Sequence, residues 1–275
     1  MSVRLTSLCD NTASFGFLAE WGLAILIEVD GSKVLFDTGM STIAAHNARR
    51  LGVDLSELDA IVLSHGHIDH TGGLKDALAM AGPTEVVAHP DIWFQKYKTS
   101  EGRIGSPNGI PFSREELESW GASFALGTSP MEVGPGIVTS GEIPMLCQQE
   151  TVDTRRRRRT EEGLETDALT DELALAILTP QGLIVVLGCG HRGPINTIRR
   201  LQEVTGEERV HTIVGGTHLA EASTDRIEWT LSELGALGPS TVACAHCTGF
   251  KAASMIAAAF GDDFVDLCAG SRLVL

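Results

Sequence analysis

Positive charge is scarce in this chain: 21 Lys and Arg stand against 36 Asp and Glu, a formal net charge of −15 over 275 residues. Such a field repels nucleic-acid phosphates and anionic membrane surfaces, so neither a nucleic acid nor a membrane is expected as partner. Long apolar runs are missing too. The run at 183–187 falls far short of the roughly 20 residues needed to cross a bilayer. The first residues, Met1-Ser2-Val3-Arg4-Leu5, show no basic segment leading into an apolar core and no cleavage-like site. A soluble, cytoplasmic protein is therefore expected. In that reducing setting the six cysteines read as core or site residues rather than as a disulfide framework. Cys244 and Cys247 have redox or metal spacing, but no second pair of that kind accompanies them to complete a structural zinc site.

What is present suffices for a sizeable core. Hydrophobic residues make up 43% and charged residues 21%, close to ordinary globular usage, which excludes wholesale disorder. The length fits one domain over 1–275 built from two halves, roughly 1–142 and 167–275, joined by a loop-rich segment. Short apolar blocks at 23–29, 33–36, 60–63, 85–88, 173–178, 183–187, 212–214 and 241–243 read as strands. Helical periodicity at 42–51, 73–80, 114–120, 194–204, 224–234 and 252–260 lies between several of them, with Pro194 suited to a first helical turn. The strands up to Phe36 follow one another across the Asp30-Gly31-Ser32 turn, which predicts a hairpin meander before alternation begins. This order predicts two sheets packed face to face with helices outside, four layers in all. Two polar, aperiodic stretches, 98–111 and 143–166, read as loops or a lid. The second contains five consecutive arginines, 155–159. They read as a solvated loop or, alternatively, as a source of cations for an anionic substrate.

The chemistry concentrates in Leu63-Ser64-His65-Gly66-His67-Ile68-Asp69-His70-Thr71-Gly72-Gly73, where three of the nine histidines fall within six residues. His65 and His67, two apart, can aim imidazoles to one side, while Asp69 and His70 face an adjacent point on the turn. Imidazole nitrogen and carboxylate oxygen are donors that zinc, iron and manganese accept, and a strand-end loop leaves coordination positions open for water. Gly66, Gly72 and Gly73 clear side-chain obstruction where the backbone turns sharply. Three later segments repeat a strand, small-residue, histidine layout: Gly188-Cys189-Gly190-His191, Gly215-Gly216-Thr217-His218 and Cys244-Ala245-His246-Cys247. His89 also ends a strand and is a weaker candidate, while His46 and His211 carry no signal.

The His-x-His-x-Asp-His pattern resembles that of the metallo-β-lactamase superfamily, and Phe36-Asp37-Thr38-Gly39 is similar to the superfamily's first motif. Gly-Cys-Gly-His, Gly-Gly-Thr-His-Leu and His-Cys-Thr-Gly resemble a branch typified by a dihydropterin synthase that acts with a ribofuranosylaminobenzene phosphate. The resemblance implies an α/β fold, the αββα sandwich, with a binuclear site of two divalent transition metals in a cleft at one edge of the sheets. Zinc is expected first, with manganese or iron accepted by the same donors. By this resemblance His65, His67 and His191 are metal ligands, with Asp69, His70 and His246 around a second ion. Asp37 and Cys189 stand behind the ligands, and Asp69 and His218 act in catalysis. The superfamily's bridging Asp has no counterpart, because Cys189 and His191 stand where Gly-Asp is expected. Cys189 is one alternative for the missing ligand; Asp167 or Asp171 folding back is another. The implied activity is metal-dependent hydrolysis of an ester, lactone or phosphodiester, with a C–N bond-forming transferase as the alternative. The substrate is expected to be a small molecule, phosphorylated or pterin-like, and a homo-oligomer stays open.

Overall fold

Side-chain alternation along single strands generates the layers. In the strand Ala24–Val29, Ile25 and Ile27 enter one apolar cluster while Ala24 and Leu26 enter another. In the strand Gly182–Leu187, Ile184 and Val186 join that first cluster and Leu183, Val185 and Leu187 a third. Strands covered on both faces read as solid apolar runs, which is why these blocks stand out in the sequence.

The computed structural model describes residues 1–275. In chain order it begins with β1 (Val3–Cys9), β2 (Ala24–Val29), β3 (Ser32–Phe36), α1 (Ile43–Leu51), β4 (Ala60–Val62), α2 (Ile68–Thr71), α3 (Leu74–Ala81) and β5 (Thr84–Ala88). Next come β6 (Gln95–Ser100), β7 (Arg103–Pro107), α4 (Arg114–Ser119), β8 (Ala122–Leu126), β9 (Glu132–Gly134), β10 (Ile137–Thr139), β11 (Arg156–Thr160) and β12 (Gly163–Thr166). The chain ends with β13 (Leu175–Thr179), β14 (Gly182–Leu187), α5 (Pro194–Thr205), β15 (Val210–Gly215), α6 (Thr224–Leu237), β16 (Thr241–Cys244), α7 (Gly249–Phe260), β17 (Phe264–Asp266) and β18 (Arg272–Val274).

Two seven-stranded sheets, ordered β18-β1-β2-β3-β4-β5-β8 and β17-β16-β15-β14-β13-β10-β9, share the cluster between them. Outside the first sheet, α1 and α3 cover Leu26, Leu35, Ile61 and Leu63; outside the second, α5 and α6 cover Leu183, Val185 and Leu187. The four-layer α/β sandwich is thus present, with the β1-β2-β3 meander antiparallel as the turn at Asp30 predicts. Strands β9 and β10 join the second sheet although they precede residue 142, and β18 joins the first.

The stretches read as loops are the main correction. They contribute β6, β7, β11 and β12 to a third, four-stranded sheet ordered β12-β11-β6-β7. Its strands lack apolar alternation because they border no core. Their long cationic stems lie over aromatic rings instead, Arg158 over Phe94 at 4.7 Å and Arg159 over Tyr97 at 5.5 Å. The arginine run is therefore mostly strand β11. Arg155, just before it, pairs with Asp153 at 2.8 Å and with Glu221. No helix is long and apolar enough to cross a membrane.

Parallel pairing is what places the site. Strands β3, β4, β5 and β8 run parallel in the first sheet, and β14, β15, β16 and β17 in the second. Their carboxyl ends deliver Asp37, His65, Cys189, Gly216 and Ala245 with the loops that follow, the edge at which open α/β sheets bind ligands. Gly72 and Gly73 serve close approach rather than a sharp turn. A Cβ on Gly72 would lie 2.1 Å from the Met40 carbonyl oxygen, and one on Gly73 2.1 Å from that of Thr38. The histidine loop can therefore pack directly on the turn that carries Asp37.

Candidate metal centre

Three buried imidazoles converge first. His65 Nε2 and His67 Nδ1 lie 2.8 Å apart, and His191 Nε2 lies 3.2 Å from that same His67 nitrogen. Burial pushes all three well below the usual histidine value, and the neutral imidazole is the form that ligates a metal. A second group lies beside it. His70 Nε2 and His246 Nε2 are 3.2 Å apart, with Asp69 Oδ2 3.4 Å from His246 and 3.9 Å from His70.

Cys189 stands between the two groups. Its Sγ is 3.2 Å from His70 Nε2 and lies within 4.8 Å of the donor atoms of His65 and His191, and likewise of His70 and His246. The sulfur thus occupies the place between the two groups, at ligand reach of both, rather than standing behind a histidine. Asp167 and Asp171 do not fold back. Both carboxylates are on the ammonium of Lys96, at 2.7 and 2.9 Å, rather than among the grouped donors.

Surrounding groups hold these rings. Asp37, at φ +60°, takes the Ser64 backbone N–H and hydroxyl, each at 2.7 Å, and His70 Nδ1 at 2.6 Å. The Ser64 hydroxyl is also 2.9 Å from His65 Nδ1, so one carboxylate orients a ring in each group. Beside two carboxylates, Asp37 and Asp69, His70 is raised to about 9 although burial opposes it. Asp69 is held well below the usual carboxylate range; burial pushes the other way, and His70 and His246 outweigh it.

Four supporting residues were not legible in the sequence. Asn11 Oδ1 lies 3.0 Å from His246 Nδ1, the Trp21 indole N–H donates to Asp69 Oδ2 at 3.0 Å, and Lys96 grips Asp171, whose other oxygen accepts the Gly66 N–H at 2.8 Å. The fourth is Glu172, which accepts the backbone N–H groups of His191 and Arg192 at 2.7 and 2.6 Å. The one available signal was that Asp10-Asn11 directly follows a strand. His89 lies elsewhere, 3.1 Å from Glu142 and capping a short turn.

Glu172 yields a pH prediction. Burial drives its carboxyl from 4.5 up to about 7, against the two N–H bonds that favour the ionised form. A carboxyl raised on folding supports the fold fully below its unfolded pKa and loses that support as pH rises through the folded value. Its contribution therefore falls between about pH 4.5 and pH 7. Chemical denaturation across this window is expected to show a slope that Glu172→Gln flattens, and an unaltered slope would assign the ionisation to another group.

Two clefts reach the centre. One, of about 420 Å³, is polar and lined by His191, His218, Thr217, Ser223, Arg155 and Arg226. The other, of about 340 Å³, is lined by His246, Trp21, Ala253 and Phe250 among others. His218 stacks 4.1 Å from His191 between ring centres, placing the predicted histidine over the first group. Of the five arginines, Arg155 lines the polar cleft.

Comparison with known proteins identifies the family. The family model of the metallo-β-lactamase superfamily matches residues 22–180. The chain belongs to that superfamily. It is 31% identical over 98% of its length, and 95% of the relative's, to a 7,8-dihydropterin-6-methyl-4-(β-D-ribofuranosyl)-aminobenzene-5'-phosphate synthase of Methanocaldococcus jannaschii. The crystal structure of Tm1679, titled a metal-dependent hydrolase of the β-lactamase superfamily, aligns with a TM-score of 0.84 at 32% identity over 98% of both chains. The metallo-β-lactamase fold protein YhfI of Bacillus subtilis aligns with a TM-score of 0.61 at 12% identity over 98% of this chain and 99% of that one, which concerns the fold alone. The superfamily and the grouped imidazole and thiol donors together fit divalent metal use.

Proposed function

We propose that this chain is a metal-dependent hydrolase, with His65, His67 and His191 holding one divalent ion, Asp69, His70 and His246 a second, and Cys189 reaching both. The observation that carries this reading is the convergence of the two groups on one sulfur beneath a polar cleft. When bound, a pair of such ions polarises a substrate oxygen and lets a water lose its proton near neutral pH.

The chain's own residues then have defined tasks. Asp69, ionised and held by the Trp21 indole, orients the attacking water. His218, on the wall of the polar cleft, stabilises negative charge developing on the substrate or returns a proton to the leaving atom. Asp37, Asn11 and Glu172 keep the histidines aimed. The substrate is a small molecule carrying an ester, lactone or phosphodiester link.

A second reading is favoured by the full-length relationship to the archaeal synthase. On it, the same residues bind a phosphorylated or pterin-like substrate and promote attack of an amine nitrogen on a carbon of the second substrate, the C–N bond forming as that carbon's leaving group departs. The discriminating experiment is elemental analysis of protein purified without added metal, followed by incubation with lactones, thioesters and phosphodiesters. In parallel, a dihydropterin carrying a leaving group on its methyl carbon is supplied together with a ribosylaminobenzene phosphate. Metal-dependent cleavage of the first set is the expected outcome. A coupled product from the pterin arm with no cleavage would overturn hydrolysis, and turnover unaffected by chelation would overturn both readings.

A further inference from the structure

The cysteine that carries redox or metal spacing with Cys244 has a different partner in the folded chain. Cys247 Sγ, Cys189 Sγ and a ring nitrogen of His218 all lie within 4.8 Å of one another. This trio is neither of the two histidine groups, although it shares Cys189 with both. We propose that Cys189, Cys247 and His218 form a third, thiolate-rich ion site that takes a thiophilic metal such as zinc, with one coordination position open to the polar cleft.

Donor chemistry is the first support. Two thiolates and one imidazole form a ligand set that selects soft or borderline ions, and three protein ligands leave a fourth position for water or substrate. The open direction is defined by the polar cleft, whose wall includes Gly190, Thr217 and His218.

Three local features then prepare the site. The backbone N–H of His218 donates to Cys247 Sγ at 3.3 Å, a bond that stabilises charge on a ligating sulfur. His218 Nδ1 is buried without any hydrogen-bond partner, an unpaired polar atom that a bound ion would satisfy. Its backbone sits at φ +52°, a left-handed conformation that costs a non-glycine residue energy and persists where the surroundings impose it. Room for the sulfur is set by Gly216, on which a Cβ would lie 2.7 Å from Cys247 Sγ.

The proposal shares Cys189 with the two-ion reading and in that respect rests on it, so the test separates the two. Full-length wild-type, Cys247→Ser, His218→Gln and His67→Ala proteins are purified under reducing conditions, and zinc per chain is measured by elemental analysis. Each is then exchanged into cobalt(II), and the sulfur-to-cobalt charge-transfer absorption is recorded. Cys247→Ser and His218→Gln are each expected to lose one zinc per chain, and Cys247→Ser to weaken the sulfur absorption. His67→Ala is expected to lose zinc from the histidine group and to keep only the part of that absorption to which Cys247 contributes. His218→Gln, altering a partly exposed residue, guards against misfolding of the cysteine variant. Wild-type zinc content and sulfur absorption in both Cys247→Ser and His218→Gln would overturn the third site and leave the two-ion centre standing. A wild-type protein that binds no ion would overturn both.

Discussion

Asp69→Ala is expected to lower turnover of an identified substrate by about 10²-fold, the scale on which misplacing a reacting group costs an enzyme. The side chain is suited to that task by exposure as well as by charge. It is 16% exposed, whereas those of His70 and His246 are fully buried, so within its group it is the side chain that water can reach. Its ionised form is secured by the two imidazoles, and its orientation by the Trp21 indole. Asp69→Asn keeps the acceptor for the indole but not the charge, and so is expected to lose nearly as much. Metal content read on the same samples separates loss of an ion from loss of the water-orienting carboxylate. Unchanged turnover in either variant would remove Asp69 from the mechanism.

Lys96→Met is expected to destabilise the fold by about 3–5 kcal/mol, because it strips the cation from two buried carboxylates. The Lys96 side chain is 1% exposed, and those of Asp167 and Asp171 are 2% and 1% exposed. Removing the ammonium leaves two negative charges facing each other out of water. The site should feel it as well, since Asp171 holds the Gly66 N–H between His65 and His67. Metal affinity is therefore expected to drop about 10–100-fold in protein that still folds, as for other residues that brace ligands. Denaturant titration checks the first effect and competitive chelation the second. Adding Asp167→Asn to Lys96→Met should restore part of the stability by removing one of the stranded charges. A single variant within about 1 kcal/mol of wild type would refute the assignment, being too small for a broken buried pair.

The histidine groups were legible because their segments advertise themselves. An apolar strand, a glycine or other small residue and a histidine recur at β4, β14, β15 and β16. Since parallel strands share one carboxyl edge, recurrence in sequence becomes proximity in space. Lys96 and Glu172 had no such mark. Each is a charged residue in a polar stretch, where solvent exposure is the ordinary expectation, and only the fold buries them. The arginine strand was hidden for a related reason: β11 pairs with β6 and β12 through its backbone, and strands that border no core need no apolar alternation.

Local pattern marked the solid apolar strands, the histidines that follow them and the chemical character of the donors, since each depends on side chains within a few positions of one another. The folded chain decided what distance along the sequence conceals. It set Cys189 between the two histidine groups, bound Asp167 and Asp171 to Lys96, and paired Cys247 with Cys189 rather than Cys244. Those contacts join residues from separate strand ends and loops. Their geometry follows from how the strands pair and the sheets pack, which no short stretch of sequence encodes.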